Sequence, residues 1–314
     1  MRLPLLTLLA FAACAQTATY TPPDDLSFRH ANIMSEGTRM SAEVFALKST
    51  AGKKLPTILM AHGWGGTAAL LRPDAIAFAR AGYLVVTFDY RGWGDSNSRV
   101  ILTAPEPRDH PNGRFTAEVQ EVREVVDPMD ETTDWFNAID WLEAEPQFDP
   151  DRLGLWGSSF SGGLVVYVAE HDPRVKAIHS QVGAMDGRMM IATDAERRKT
   201  YDEATRMARG ELGYPAPGAK VIGNLRGAPI RSKFVPYDPV EDVNKAPHCA
   251  MQFVIAEKEE LFDNHDHAIK AYNLFKGTKN LVEIPKITHY GIYLEAHAQA
   301  QKLAIEWFDK YLKP

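Results

Sequence analysis

Apolar positions along this chain recur in two rhythms. Short continuous runs bounded by Gly, Pro and charged residues predict buried strands at Pro56 to Ala61, Tyr83 to Asp89, Leu153 to Trp156, Val175 to Val182, Met251 to Ile255 and Leu281 to Ile284. Between them, three- and four-residue spacings predict amphipathic helices. Pro73 to Ala81 has this spacing and stops at Gly82, a C-cap residue. Thr132 reads as the N-cap of a helix carrying Trp135, Phe136, Ile139 and Leu142 on one face and ending before Pro146. A last helix is expected from Ile292 to Leu312. Arg39 to Leu47 alternates like an early antiparallel strand, with Ser35-Glu36-Gly37 just before it. Strands alternating with helices predict a mostly parallel, doubly wound α/β sheet with helices on its flanks.

Two stretches stand outside this alternation. Asp186 to Lys245 is long, polar and rich in Arg, Met and Gly, with a helix-like piece from Asp194 to Arg209. Segments of that length are usually functional or structured in their own right. It is read here as a lid over the active site, the alternative being a surface excursion remote from it. At the other extreme, Met1-Arg2 precedes the apolar run Leu3 to Ala13, too short to span a bilayer, which predicts a signal peptide over residues 1–15. Phe11-Ala12-Ala13-Cys14 resembles a lipoprotein cleavage box, which would lipidate Cys14 at a bacterial membrane. Plain cleavage near Ala15 or Ala18 is the alternative. Either way the expectation is an exported protein, periplasmic or extracellular, whose main domain occupies residues 24–314.

Composition narrows the function. The chain has 41 acidic against 35 basic residues, a net charge of -6, so it offers no cationic surplus for phosphates. Nucleic acid is therefore excluded as a partner, and a small molecule fits better. The second of its two cysteines, Cys249, precedes a strand and reads as a buried thiol, leaving no internal disulfide once Cys14 is removed or lipidated.

The candidate chemistry begins at Gly157-Ser158-Ser159-Phe160-Ser161-Gly162-Gly163. This run follows a strand and precedes the apolar helical stretch Leu164 to Ala169, the strand-turn-helix setting of a nucleophile elbow. Ser159 takes the central place, because Gly157 stands two residues before it and neither Ser158 nor Ser161 has such a glycine. Ser161 replaces the usual last glycine of the motif. A serine hydroxyl needs a base and oxyanion donors to attack an acyl carbon at neutral pH. Two later loops offer partners: Ala256-Glu257-Lys258-Glu259-Glu260, with Asp263 close by, follows one strand, and Ile287-Thr288-His289-Tyr290 follows the next. Carboxylate and imidazole would then lie at the carboxyl ends of strands, where open α/β sheets bind ligands. His265 and His267, near Asp263 and Asp266, are read as solvent-facing residues at a helix start, and no metal or cofactor is expected.

With these residues in view, the chain resembles the α/β-hydrolases, in their dienelactone-hydrolase-like, acetyl-xylan-esterase-like and Xaa-Pro-peptidase-like branches. The resemblance covers nearly everything after the signal. It implies Ser159 as nucleophile, His289 as base and, by alignment with the family's acid position, Glu259 in place of the commoner aspartate, with Glu257, Glu260 and Asp263 as rivals. His62-Gly63-Trp64-Gly65-Gly66 resembles the family's oxyanion segment, which implies the backbone N–H groups of Trp64 and Phe160 as donors. Asp89 to Ser96 resembles the family's turn after the following strand, which implies that Arg91 and Asp95 hold loops, while Tyr90 or Trp93, and Tyr290 beside His289, line the substrate pocket. The expected function is hydrolysis of a carboxylic ester of a small or medium substrate through an acyl-enzyme on Ser159. A peptidase of the Xaa-Pro type and a catalytically silent binding protein are the alternatives.

Overall fold

The computed structural model describes residues 20–222 and 225–313. The expected signal peptide and Cys14 lie outside the described residues. Eight strands form one sheet: β1 (Leu26–Ser35), β2 (Thr38–Leu47), β3 (Leu55–Ala61), β4 (Leu84–Phe88), β5 (Phe148–Ser158), β6 (Val175–Gln181), β7 (Ala250–Lys258) and β8 (Lys279–Thr288), in spatial order β1-β2-β4-β3-β5-β6-β7-β8. β1 with β2 and β2 with β4 pair antiparallel, and the remaining neighbours are parallel.

Helices α1 (Arg72–Arg80), α2 (Pro128–Leu142), α3 (Phe160–His171), α4 (Asp194–Ala208), α5 (Ala268–Leu274) and α6 (His297–Leu312) connect or follow the strands. Alternate residues of β3 show how both sheet faces are covered. Leu59 and Ala61 join a core with Trp135 and Ile139 of α2 and Leu164 and Val168 of α3. Ile58 and Met60 join a second core with Phe78 of α1 and Phe308 of α6. With both faces buried, the central strands read as unbroken apolar runs rather than alternating ones.

The structure moves several predicted boundaries. β1 was not predicted. It pairs with β2 along its whole length through the two-residue turn Glu36-Gly37, whose positive φ angles of 47° and 76° suit a tight hairpin. Helix α2 starts at Pro128, not after Thr132: Asp127 is the true N-cap, its carboxylate accepting from the N–H groups of Met129 and Asp130, a contact worth about 1 kcal/mol. The last helix starts at His297, because residues 289–293 form a separate 3-10 turn. Residues 99–102 and 119–122 make a small antiparallel ribbon that the pattern did not suggest.

Asp186 to Lys245 breaks into short pieces. After a 3-10 turn at Gly187–Ile191 comes α4, opened by a capping box between Thr193 and Glu196. Ala228-Pro229 then pairs with Val125-Val126, and Phe234, Tyr237, Val240 and Val243 are buried in the α2–α3 core. The later half of the segment is thus anchored in the domain.

One buried charge site gives a stability prediction. Glu170, near the end of α3, has both carboxylate oxygens buried without a partner. Burial, reinforced by Asp242 and Asp238 against the pull of Lys245, pushes its carboxyl up to about 9. The folded chain therefore holds a proton that the unfolded chain, with an ordinary glutamate, has released above about pH 4.5. Stability from this group is present below that pH and is lost as pH rises toward 9, by up to about 1.4 kcal/mol per pH unit. Glu170→Gln is expected to flatten this slope: the melting temperature of the variant relative to the parent should rise between pH 5 and 9. An unchanged difference across that range would contradict the assignment.

Candidate active site

Ser159 is the only residue between the end of β5 and the start of α3, so the chain must turn from strand to helix in one step. It does so at φ 58° and ψ -125°, a conformation that costs a non-glycine residue of order 1–3 kcal/mol. Neighbours hold it there. The Ser159 N–H donates to Gln181 O at 2.9 Å, while its carbonyl accepts from the N–H groups of Gly162 and Ala184 at 2.9 and 3.2 Å. Gly157 is required because a Cβ at that position would sit 2.2 Å from Ser161 O. The last position of the motif is more tolerant, and Ser161 is accommodated fully buried, its Oγ 3.4 Å from the Tyr90 hydroxyl.

The Ser159 hydroxyl meets His289. Its Oγ lies 2.9 Å from Nε2 of that ring, whose Nδ1 is 2.9 Å from both carboxylate oxygens of Glu259. The side chains of His289 and Glu259 are each 2% exposed. β7 and β8 end side by side, with a register shift between Ala256 and Lys258; this brings the loop after β7 against the 3-10 turn that carries His289. The rival carboxylates have other partners. Glu260 accepts from the His289 backbone N–H at 2.6 Å, Glu257 accepts from the Lys286 N–H, and Asp263 pairs with exposed His265. Among the described residues, Glu259 alone of these four bonds the imidazole. Ser158, the other rival, bonds Tyr293 and Gln181 instead.

The loop His62-Gly63-Trp64 presses on the elbow. A Cβ on Gly63 would fall 2.7 Å from Ser158 O and 3.1 Å from Ser159 Cβ, so only glycine allows this approach. It sets Trp64 next to Phe160, their rings 5.8 Å apart. The backbone N–H groups of Trp64 and Phe160 donate to no protein acceptor among the described residues. The second belongs to the N-terminus of α3, whose dipole favours negative charge. His62 braces the loop as a neutral ring: burial pushes it down to about 4, and its Nδ1 lies 2.9 Å from Gly63 O. Asp89, 3.8 Å from its Nε2, does not form an ion pair with it. That carboxylate accepts from the N–H groups of Ala68 and Asp95 and is pushed up to about 6, again by burial.

Two cavities open beside Ser159. A narrow slot of about 70 Å³ is walled by Trp64, Phe160, Phe234, Tyr237 and Phe262. A wider one of about 560 Å³ runs past His289, Tyr290 and Tyr293 to Leu70, Trp156 and His297. Tyr290 lines the wide cavity. Tyr90 and Trp93 line neither, correcting the expectation for them. Both are about 1% exposed and pack on His62, with ring centroids 4.8 and 5.8 Å from it. Tyr90 accepts from Trp135 Nε1 and Trp93 donates to Val125 O, so the turn folds its rings into the core behind the His62-Gly63-Trp64 loop. His267 also differs from expectation: it is buried, with Nδ1 accepting from the Met185 N–H at 2.8 Å. Among the described residues no three His, Cys, Asp or Glu side chains group as a metal site would require. Phe234 and Tyr237, from the 186–245 segment, and Tyr293 gave no sequence signal, since nothing in the local pattern shows which distant wall a surface segment will reach.

Residues 36–208, more than half of the chain, match the model of the X-Pro dipeptidyl-peptidase (S15) family. The chain belongs to that family. A 31.7 kDa protein of the Escherichia coli traX-finO intergenic region, uncharacterised in function, is 29% identical to this S15-family chain over 287 residues, covering 82% of it and 92% of the relative. Among solved structures, the hypothetical protein PA2218 from Pseudomonas aeruginosa superposes with a TM-score of 0.72 at 18% identity, covering 93% of this chain and 96% of that one. An acetyl xylan esterase from Paenibacillus sp. R4 gives 0.61 at 18% identity, covering 94% and 87%. At such identity these two establish the shared α/β-hydrolase fold of this S15-family member and nothing finer.

Proposed function

We propose that this S15-family protein is a serine hydrolase of carboxylic esters with a short acyl group. The observation that carries the reading is the unbroken contact from Ser159 Oγ through His289 to the buried carboxylate of Glu259. Ser159 Oγ attacks the ester carbonyl carbon while His289 Nε2 takes its proton, and Glu259 stabilises the imidazolium. The N–H groups of Trp64 and Phe160 receive the oxyanion. As the tetrahedral intermediate collapses, the C–O bond to the leaving group breaks and His289 returns the proton to the departing oxygen. Water then repeats the sequence on the acyl-enzyme.

The proton donor sets the direction in which substrate lies. The leaving group must sit at His289 Nε2, hence in the wide cavity, and the acyl chain in the narrow slot. A slot of about 70 Å³ with aromatic walls suits a short apolar acyl group. It suits a dipeptide poorly. An amino-terminal dipeptide also needs a carboxylate for its ammonium, and the slot's Asp186 is already engaged by Arg188 Nε at 2.8 and 3.0 Å.

Turnover of nitrophenyl acyl esters of increasing chain length, set beside Xaa-Pro amides, tests the reading. The highest kcat/KM is expected with acetyl to butyryl esters, and preference for the Xaa-Pro amides would overturn it. The acid is tested separately. A Gln amide at position 259 can donate to Nδ1 and so place the ring proton on Nε2, where the base must be empty. Glu259→Gln is accordingly expected to lower kcat by about 10³-fold, with Glu257→Gln and Asp263→Asn within about threefold of the parent. A reversal of that order in steady-state assays would move the acid elsewhere.

A further inference from the structure

The hydroxyl of Tyr293 lies 2.7 Å from Ser158 Oγ, and that oxygen also accepts from Gln181 Nε2 at 3.1 Å. Behind Gln181 stands the wholly buried His179, with Nε2 3.3 Å from Gln181 Oε1 and Nδ1 2.7 Å from Gln252 Oε1. A row of polar side chains from β5, β6 and β7 thus crosses the sheet and ends at the catalytic cavity. Desolvating such groups is costly unless each is paired, so their hydrogen positions are constrained.

Counting donors gives the direction of the chain. Gln181 donates to Ser158, which is 3% exposed. Were Tyr293 also to donate to Ser158, the serine proton would be buried without an acceptor. If Ser158 instead donates to Tyr293, the serine proton is satisfied and the phenol proton is left to turn toward the cavity. The phenol's other protein neighbour is the Ser159 hydroxyl, whose own proton goes to His289. The phenol proton faces the wide cavity that Tyr293 lines together with Ser159 and His289. Desolvation of this hydroxyl pushes its pKa above the ordinary tyrosine value, against the pull of the Ser158 and Ser159 hydroxyls, so the proton stays in place at working pH.

We propose that Tyr293 is a further catalytic residue, aimed by Ser158 and Gln181 to donate a hydrogen bond to the leaving-group oxygen as its bond to carbon breaks. The proposal rests on the ester-hydrolase reading above. The carbonyl oxygen is already served by the Trp64 and Phe160 N–H groups, whereas Tyr293 stands on the His289 side, with ring centroids 6.3 Å apart. In the collapsing intermediate the electron pair of the C–O bond passes to the leaving oxygen, His289 supplies the proton, and Tyr293 shares its hydrogen without transferring it. The benefit grows with the charge that the oxygen gathers, hence with the basicity of the leaving group.

The test compares kcat/KM of the parent and Tyr293→Phe for acetate esters of nitrophenol, phenol and a simple alcohol. Phenylalanine keeps the ring, so folding is preserved and can be checked by melting. The expected loss is about tenfold or more with the alkyl ester and less than about threefold with the nitrophenyl ester. Ser158→Ala, which frees the phenol to turn, is expected to show the same trend with smaller factors. An equal loss for every leaving group, or none, while hydrolysis still requires Ser159, would overturn the role of Tyr293 and leave the esterase reading standing. Absence of Ser159-dependent ester hydrolysis in the parent would instead overturn that reading and this inference with it.

Discussion

Ser159→Ala is expected to lower kcat on a short-chain ester by about 10⁵- to 10⁶-fold while leaving the fold intact. The substitution deletes one oxygen whose hydrogen bond goes to His289. It leaves in place the Gln181, Gly162 and Ala184 contacts that hold the turn, because all of them are made by backbone atoms. The residual rate should be that of the oxyanion donors acting on water alone. The turn conformation adds an independent check. At φ 58° any side chain is strained, so Ser159→Gly, equally inactive, should melt above Ser159→Ala by an amount corresponding to about 1 kcal/mol. Calorimetry beside activity assays on both variants checks this, and a substantial rate in either would remove Ser159 from the reaction.

His289→Ala is expected to lose a similar factor in kcat, and it should also lose stability, which separates it from the serine variants. The imidazole is the partner of a carboxylate only 2% exposed. Without it Glu259 is left with the Leu261 N–H, at 3.0 Å, as its remaining donor. Leaving a buried carboxylate short of a hydrogen-bond donor costs about 1–3 kcal/mol or more. His289→Ala should therefore melt well below the parent at pH 8, and Glu259→Gln introduced into it should restore part of the loss. If His289→Ala melted like the parent, the buried contact would not be the one described.

What the sequence made legible follows a physical divide. The parallel strands, buried on both faces, read as unbroken apolar runs, and the residues just beyond their carboxyl ends are Trp64, Ser159, Glu259 and His289. Which of four nearby carboxylates would turn toward the imidazole was not readable from spacing, because it depends on the irregular pairing of β7 with β8. The resemblance of Asp89 to Ser96 to the family's turn implies Tyr90 or Trp93 in the pocket. Hydrogen bonds to Trp135 and Val125 turn them inward instead. Thr132 was preferred as a cap because it precedes the apolar face of α2, although Asp127-Pro128 carries the stronger start signal. β1 went unseen because its burial is uneven, with Leu26 and Ile33 inward and many polar neighbours outward. The walls supplied by Phe234, Tyr237 and Tyr293 are tertiary facts with no local signature.

The covalent intermediate tests the whole account most directly. The protein would be incubated with a nitrophenyl acetate or butyrate, quenched in acid during turnover, digested and examined by mass spectrometry. The account expects one acyl group on the peptide containing Ser159, absent from Ser159→Ala and accumulating when deacylation is slowed. Rapid ester turnover with no acyl group on Ser159 at any quench time, or with the group on another residue, would contradict it.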